Sequence, residues 1–107
     1  MPWFRLTPRA RDGLRGILEY TEREFGRRAA LAVLDRMQRT LQLLAELQGI
    51  EHTRPDLTSD ERILFWSAGP TLIAYRQDAG SEAIEVLVIE RADQDLGRLL
   101  AETDDRQ

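Results

Sequence analysis

The sequence predicts an α+β domain in which a helical hairpin packs on one face of a small antiparallel sheet. Two observations predict it. Apolar residues recur at helical spacing through the first half of the chain, and the second half carries short apolar runs separated by turns. Helices followed by strands are typical of this class, because each element buries its apolar face against another layer. We expect the 107 residues to form one domain, 1–107, with a frayed tail at 102–107.

The first predicted elements are a strand and a helix. Phe4–Leu6 is a candidate strand. The pair Thr7–Pro8 is typical of a helix start, since Thr caps the first turn and Pro fits its first position. Gly26 is expected to end this helix, and Gly13 and Gly16 to weaken it. Its apolar stripe consists of Leu14, Ile17, Leu18, Thr21 and Phe25.

A second helix is expected from Arg27 to Gln48, with Gly49 closing it. Because about one glycine separates the two helices, they must form a tight antiparallel hairpin. The apolar stripe of the second helix consists of Ala30, Val33, Leu34, Met37, Leu41, Leu44 and Leu47 or Gln48.

The second half of the chain predicts a three-stranded meander after a polar loop at 49–60. Its strands are Arg62–Ser67, Thr71–Arg76 and Ala83–Ile89. The last strand is almost continuously apolar, which predicts burial on both of its faces. A short helix starting at Asp93 or Asp95 and ending at Ala101 completes the order β-α-α-β-β-β-α.

Composition excludes several kinds of function. The chain has no Cys and one His, His52, so neither a disulfide framework nor a metal site is expected, and no cofactor is implied. Residues 1–48 carry nine Arg and six acidic residues (+3), and residues 49–107 carry six Arg and thirteen acidic residues (−7), which gives the net charge of −4. We therefore expect a protein partner rather than direct sequence-specific nucleic-acid binding. No apolar run is long enough to span a membrane and no signal peptide precedes the domain, so a cytoplasmic location is expected.

Short segments spread over nearly the whole chain carry a resemblance to a known family. They are Leu6–Ala10, Ile17–Tyr20, Phe25–Gly26, Arg54–Thr58, Phe65–Trp66, Leu72–Arg76, Glu85–Ile89, Asp95–Leu96 and Leu99–Leu100. Their order and spacing resemble the ParE/RelE superfamily of bacterial type II toxins, and the ParE branch most closely. One departure concerns the end of the last strand: Arg91 stands where many relatives have a histidine, and Gln94 where they have a basic residue.

The resemblance implies a toxin that binds and inhibits DNA gyrase without catalysis, trapping the cleavage complex, and that a ParD-like antitoxin neutralises. One alternative is a RelE-type ribosome-dependent mRNA endonuclease. Such relatives place basic residues on the middle strands, where this chain has Ile63, Phe65 and Leu72, so we expect an apolar surface where a nuclease would seat RNA. Another alternative is an inactive family member that acts only as a binding module.

Four residues are candidates for target binding. Arg62, Arg76 and Arg91 lie at or near the ends of three predicted strands and are expected to cluster at one sheet edge, and Asp95, beside a predicted helix start, is the fourth candidate. The competing interpretation for each arginine is an ordinary ion pair with a neighbouring acidic residue such as Glu85. The sequence leaves both interpretations open.

Five residues of the hairpin are candidates for antitoxin binding. Tyr20, Leu31 and Leu43 lie off the core stripes, and an apolar side chain there must find another surface to cover it. Arg15 and Arg39 add positive charge suited to an acidic antitoxin segment. The resemblance further implies a higher-order toxin–antitoxin hetero-oligomer. We expect Leu31→Asp or Leu43→Asp to weaken this complex without unfolding the toxin.

Overall fold

The computed structural model describes residues 3–47, 62–77 and 83–91. The elements follow one another as β1 (Trp3–Leu6), α1 (Pro8–Phe25), α2 (Arg27–Glu46), β2 (Leu64–Ala68), β3 (Thr71–Gln77) and β4 (Ala83–Arg91). Two helices pack on one four-stranded sheet, so the predicted α+β class is confirmed. The predicted loop at 49–60, the helix ending at Ala101 and the tail at 102–107 lie outside the described residues.

The sheet is mixed, with strand order β1-β4-β3-β2. Strands β2, β3 and β4 form the predicted antiparallel meander, but β1 pairs with β4 in parallel, Trp3 opposite Ala83 and Leu6 opposite Val86. The expectation of a wholly antiparallel sheet is therefore wrong at this edge. Hairpin turns force neighbouring strands of a meander to be antiparallel, whereas a strand that pairs across 80 residues of chain is free of that constraint.

Strand β4 lies in the middle of the sheet and is buried on both of its faces, as its apolar sequence predicts. Ile84, Val86 and Ile89 belong to the core cluster shared with the helices. Leu87 and Val88 belong to a second cluster, formed with Ile63, Phe65, Leu72 and Ala74. Burial of both faces explains why this strand lacks the alternation of polar and apolar residues that a half-exposed strand shows.

The start of α1 is fixed to β4 by one threonine. The Thr7 hydroxyl oxygen accepts a hydrogen bond from the Ala10 amide at 3.1 Å, which confirms the predicted N-cap, and the same hydroxyl donates to the Leu87 carbonyl oxygen at 2.9 Å. The Thr7 amide also donates to the Val86 carbonyl oxygen at 3.0 Å. The cap therefore orients the helix relative to the sheet as well as satisfying its first turn.

The hairpin turn consists of a single residue. Gly26 has a φ of 94°, and it is both the C-cap of α1 and the N-cap of α2. Its amide donates to the Glu22 carbonyl oxygen at 2.9 Å. This confirms the one-glycine hairpin, because a residue with a side chain rarely adopts so positive a φ.

Gly13 allows α1 to approach the sheet closely. A Cβ atom at this position would overlap the carbonyl oxygen of Ile89 on β4. Ala10, one turn earlier, and Leu14, the next residue, are buried in the core cluster that includes Ile89. The glycine that we expected only to weaken the helix therefore has a packing role, whereas a Cβ at Gly16 would meet nothing within 4 Å.

Both predicted apolar stripes stop short of their last residue. Phe25 is 70% exposed, so its assignment to the core stripe of α1 is wrong. Leu47 is also exposed, and α2 ends at Glu46, before the expected Gln48. Helical spacing predicts the direction in which a side chain points, but it does not predict where the sheet beneath the helix ends. Tyr20 already lies beside Arg91, the last residue of β4, and Phe25 lies five residues further along the helix.

Candidate interaction groove

A groove with a volume of about 390 Å³ lies between the far half of the hairpin and the β2–β3 turn. The walls come from α1, α2, the turn and the end of β4. Most of the lining side chains are apolar. They are Ile17, Tyr20, Thr21 and Phe25 of α1, Ala29, Val33, Arg36, Met37 and Thr40 of α2, and Ala68, Pro70, Thr71 and Arg91.

The groove follows from the way α1 crosses the sheet. The helix starts at Thr7 beside Leu87, touches Ile89 at Gly13 and reaches Arg91 at Tyr20. Its remaining residues continue past that point, and α2 returns beside them. The inner sides of both helices therefore face an open cleft at this end of the sheet.

Two arginines supply the charge of the groove. Arg36 lines the groove, is exposed, and is not in an ion pair within the described part of the chain. Arg91 enters from the end of β4. Among the described residues that line this groove there is no aspartate or glutamate, so the described lining carries positive charge. An apolar floor with a cationic rim is suited to an amphipathic segment that carries carboxylates.

Tyr20 is the most heavily contacted aromatic side chain of the groove. The guanidinium carbon of Arg91 lies 5.7 Å from the centroid of its ring, and that of Arg23 lies 5.8 Å away. The Phe25 ring packs edge-on at 6.5 Å between centroids. A cation–π contact at an exposed site contributes only about 0.5–1 kcal/mol, so this arrangement orders the side chains without locking them.

A smaller cleft of about 220 Å³ lies on the other side of Tyr20. Gly13 and Gly16 form part of its helical wall, beside Ile17 and Tyr20, and Asp12 and Glu90 also line it. Burial raises the pKa of Glu90 above its usual value, and the positive charges of Arg9 and Arg91 act in the opposite direction.

The three arginines proposed for target binding do not form one cluster. Arg76 lies opposite Glu85 in the register, whereas Arg91 lies opposite Thr71 at the other end of β3. Six residues of β4 separate these positions, which corresponds to roughly 20 Å. Arg62 precedes β2 at the end where Arg76 lies, so the expected single cluster is wrong. Asp95 lies outside the described residues.

Arg76 takes part in an ion-pair ladder instead. Its guanidinium donates to Glu85 at 2.8 and 3.0 Å, and Arg5 of β1 donates to the same carboxylate at 2.9 Å. Arg76 therefore makes the pair with Glu85 that the competing interpretation names, although both side chains are largely covered, and its role in target binding stays a prediction. Sequence reasoning missed Arg5, because the parallel pairing that sets it opposite Glu85 was not predicted.

The positions where a nuclease would seat RNA do not form the exposed apolar surface that we expected. Ile63, Phe65 and Leu72 are all buried and belong to the second core cluster, so they cannot line an exposed cradle, and that expectation is wrong. The ionisable Tyr75 of β3 is also buried, and burial raises the pKa of its hydroxyl above the usual value.

The five antitoxin candidates lie on different surfaces of the hairpin. Tyr20 lines the groove, whereas Leu31 and Leu43 do not. Leu31 is 54% exposed and Leu43 43% exposed, as their off-stripe positions predict. Arg15 and Arg39 are exposed and make surface ion pairs with Asp12 at 3.7 Å and with Asp35 at 3.0 Å. These two arginines are therefore partly compensated already.

Within residues 3–47, 62–77 and 83–91, no group of His, Asp and Glu side chains is arranged to hold a metal ion. None of the described helices is long and apolar enough to cross a bilayer. His52 lies outside the described residues.

The comparisons with known proteins concern nearly the whole chain. The model of the family described as "ParE toxin of type II toxin-antitoxin system, parDE" matches residues 4–96. A solved structure titled as a chromosomal ParDE toxin–antitoxin system from P. aeruginosa has a similar fold, with a TM-score of 0.66, 18% sequence identity, and coverage of 87% of this chain and 97% of that one. No curated protein sequence matches the chain. Because the family model spans most of its length, this chain belongs to the ParE toxin family of type II toxin–antitoxin systems.

Proposed function

We propose that this chain acts on DNA gyrase, binding the enzyme and trapping its cleavage complex, and that a ParD-like antitoxin silences it. The observation that carries the proposal is the ParE toxin match over residues 4–96. The action is binding rather than catalysis. Gyrase works on chromosomal DNA, so the proposal implies a cytoplasmic site of action.

The chemistry of the sheet supports binding over RNA cleavage. Cleavage of RNA requires a base, an acid and cations that stabilise the phosphate. Ile63, Phe65 and Leu72 supply none of these groups. Two arginines of the sheet, Arg5 of β1 and Arg76 of β3, are engaged with Glu85.

Among the proposed target-binding residues, Arg62 is the best candidate for direct contact. It is exposed, whereas Arg76 is largely covered and held by Glu85. Asp95 remains part of the proposal. Arginine suits a protein surface of this kind because its planar guanidinium can bind a carboxylate through two hydrogen bonds.

The antitoxin is proposed to cover both the groove and the outer surface of the hairpin. The exposed apolar side chains Tyr20 and Phe25 mark the groove, and Leu31 and Leu43 mark the outer surface. Arg36 gives the groove a cation with no ion-pair partner in the described residues. Arg15 and Arg39 extend the positive charge outside the groove. An acidic segment that folds on binding would match both surfaces, in a higher-order hetero-oligomer.

The test compares two readouts of the same purified chain. We expect inhibition of gyrase supercoiling with accumulation of cleaved DNA, and normal messenger stability on translating ribosomes. Arg62→Gln should weaken the inhibition, while Arg39→Gln, which removes the same charge from the outside of α2, should leave it unchanged. Messenger cleavage with normal supercoiling would support the endonuclease instead. Induction without growth arrest would leave only an inactive binding module.

A further inference from the structure

The groove between the hairpin and the β2–β3 turn has the composition of a small-molecule site. Such sites are concave and mostly apolar, with a few polar groups that orient the ligand. The groove volume of about 390 Å³ falls at the lower end of the roughly 300–1,000 Å³ that is typical of them. Two of its polar residues differ from the others in their surroundings, Thr71 at the start of β3 and Arg36 on α2.

Thr71 is a buried polar residue whose hydroxyl opens into the groove. The residue is 8% exposed, and its hydroxyl is not in a hydrogen bond within the described part of the chain. Every fully enclosed side-chain nitrogen or oxygen of that part has a partner, so the Thr71 oxygen must be open to solvent, and Thr71 lines the groove. Thr21 and Thr40 differ, because each of their hydroxyls donates to the carbonyl oxygen one turn earlier in its own helix. The Thr71 hydroxyl is therefore a hydrogen-bonding group that a ligand can reach.

Arg36 is the cation of the groove that can bind an anion. It is exposed, it is in no ion pair within the described residues, and the described lining holds no carboxylate to neutralise it. Arg91 lines the groove as well, but its guanidinium contacts the Tyr20 ring at 5.7 Å and has a further interaction besides. The same excess of positive charge disfavours a second copy of this chain as the occupant, because two such grooves would repel each other. The charge favours an anionic ligand.

We infer that the groove binds a small organic acid with an apolar body, which places its carboxylate at Arg36 and a hydroxyl or carbonyl group of its other end at Thr71. The different exposure of the two residues sets this orientation. A carboxylate is costly to bury, so it stays at the exposed arginine, whereas a neutral group can be buried once it is hydrogen-bonded. Ile17, Val33 and Met37 are among the apolar side chains that enclose the body. The inference goes beyond the proposed function and does not depend on the target.

Three related probes test the two ends of the ligand separately. The first, para-hydroxyphenylpropionate, carries both polar groups; phenylpropionate lacks the hydroxyl, and para-hydroxyphenylpropionamide lacks the charge. NMR titration of the free toxin measures each affinity, and the side-chain methyl signals of Val33 and Met37 report on the groove. We expect a Kd of about 1 mM or lower for the first probe. Loss of the hydroxyl should weaken binding about fivefold and loss of the charge about tenfold, as for a neutral and a charged hydrogen bond.

Variants of the toxin assign the two contacts. Arg36→Gln should weaken binding of para-hydroxyphenylpropionate about tenfold and make the acid and the amide bind equally well. Thr71→Val keeps the shape of the side chain and should abolish the advantage that the hydroxyl gives the first probe over phenylpropionate. Arg39→Gln is the matched control, since Arg39 is exposed on α2 and outside the groove. It should change all three affinities less than about twofold.

Several results would overturn the inference. They are an absence of saturable binding, and affinities that Arg36→Gln and Thr71→Val leave unchanged. If the valine variant does not fold, the two probes that differ in the hydroxyl still decide the matter on the wild-type chain, and equal affinities overturn the inference. A toxin that is a dimer in solution and becomes a monomer as Phe25→Asp has a second copy in the groove, which overturns it too. Gyrase inhibition and antitoxin binding test the proposed function independently of all these results.

Discussion

The first three turns of α1 and its last two turns meet different surroundings. Ala10, Gly13 and Leu14 are buried against β4, and Gly13 touches its backbone. Tyr20 and Phe25 are exposed and border a groove. The same helix thus buries Ala10, Gly13 and Leu14 against the sheet at one end and exposes large apolar side chains at the other. The first three turns of α1, the packing half, differ from its last two turns, the candidate binding half, in the size and exposure of their side chains rather than in overall hydropathy.

The strongest test of this contrast uses the same substitution at two glycines of α1. Gly13→Ala should destabilise the fold by roughly 3 kcal/mol, the upper end for overpacking, because the obstructing atom is the Ile89 backbone oxygen. Gly16→Ala should stabilise it by about 0.5–1 kcal/mol, since alanine favours the helix and the site is open. Urea unfolding of the two variants measures both effects, and equal signs would contradict the contrast.

The second prediction concerns the cap at the start of the packing half. Thr7→Ala should cost about 2 kcal/mol, because it removes the N-cap bond to Ala10 and the bond to the Leu87 carbonyl. Thr7→Ser keeps the hydroxyl and should lose much less. Thermal unfolding of both variants tests this, and a serine variant as unstable as the alanine variant would assign the effect to the lost methyl group instead.

The third prediction concerns the exposed half. Phe25→Asp should weaken antitoxin binding about tenfold, equivalent to ~1.4 kcal/mol, because it puts a carboxylate into the apolar part of the groove. Leu31→Asp, on the outside of α2, should weaken it by a smaller factor. Both side chains are exposed, so neither variant should unfold. Titration calorimetry would contradict the importance of the groove if the two losses were equal or reversed.

The smallest effect is expected where the two halves meet, at Glu90. Burial raises the pKa of this carboxyl, so its contribution to stability is greatest when it is protonated and declines as pH rises through the folded-state pKa. Glu90→Gln should therefore gain stability relative to the wild type between acid and neutral pH, by less than ~0.5 kcal/mol. Unfolding free energies of both proteins at several pH values test the sign, and an advantage of the glutamine variant that grew on acidification would contradict it.

Local signals predicted the hairpin well. Thr7–Pro8 and Gly26 act through their own backbone geometry, and both occur where the sequence indicates. The same reasoning failed for Phe25, because the repeat of apolar residues continues after the sheet beneath it has ended. Phe25 lines the groove instead, and the spacing of apolar residues does not indicate that role.

Long-range pairing was beyond the sequence. The alternation of residues in a strand predicts which side chains share a face but not which strand lies beside it. For that reason the parallel partner of β1, the ladder from Arg5 to Arg76 and the separation of Arg76 from Arg91 all emerge only from the register.

Gly26 has a consequence for how a partner can bind. Since one residue joins the two helices, the chain between them has no slack, and the distance between the groove walls is set before any partner arrives. A binding segment must then adapt its own conformation to a groove of fixed width, so the conformational entropy lost on association is mainly that of the partner. Inserting glycines into the turn would let the two helices move apart and together, and the toxin would then also lose conformational entropy when the partner binds.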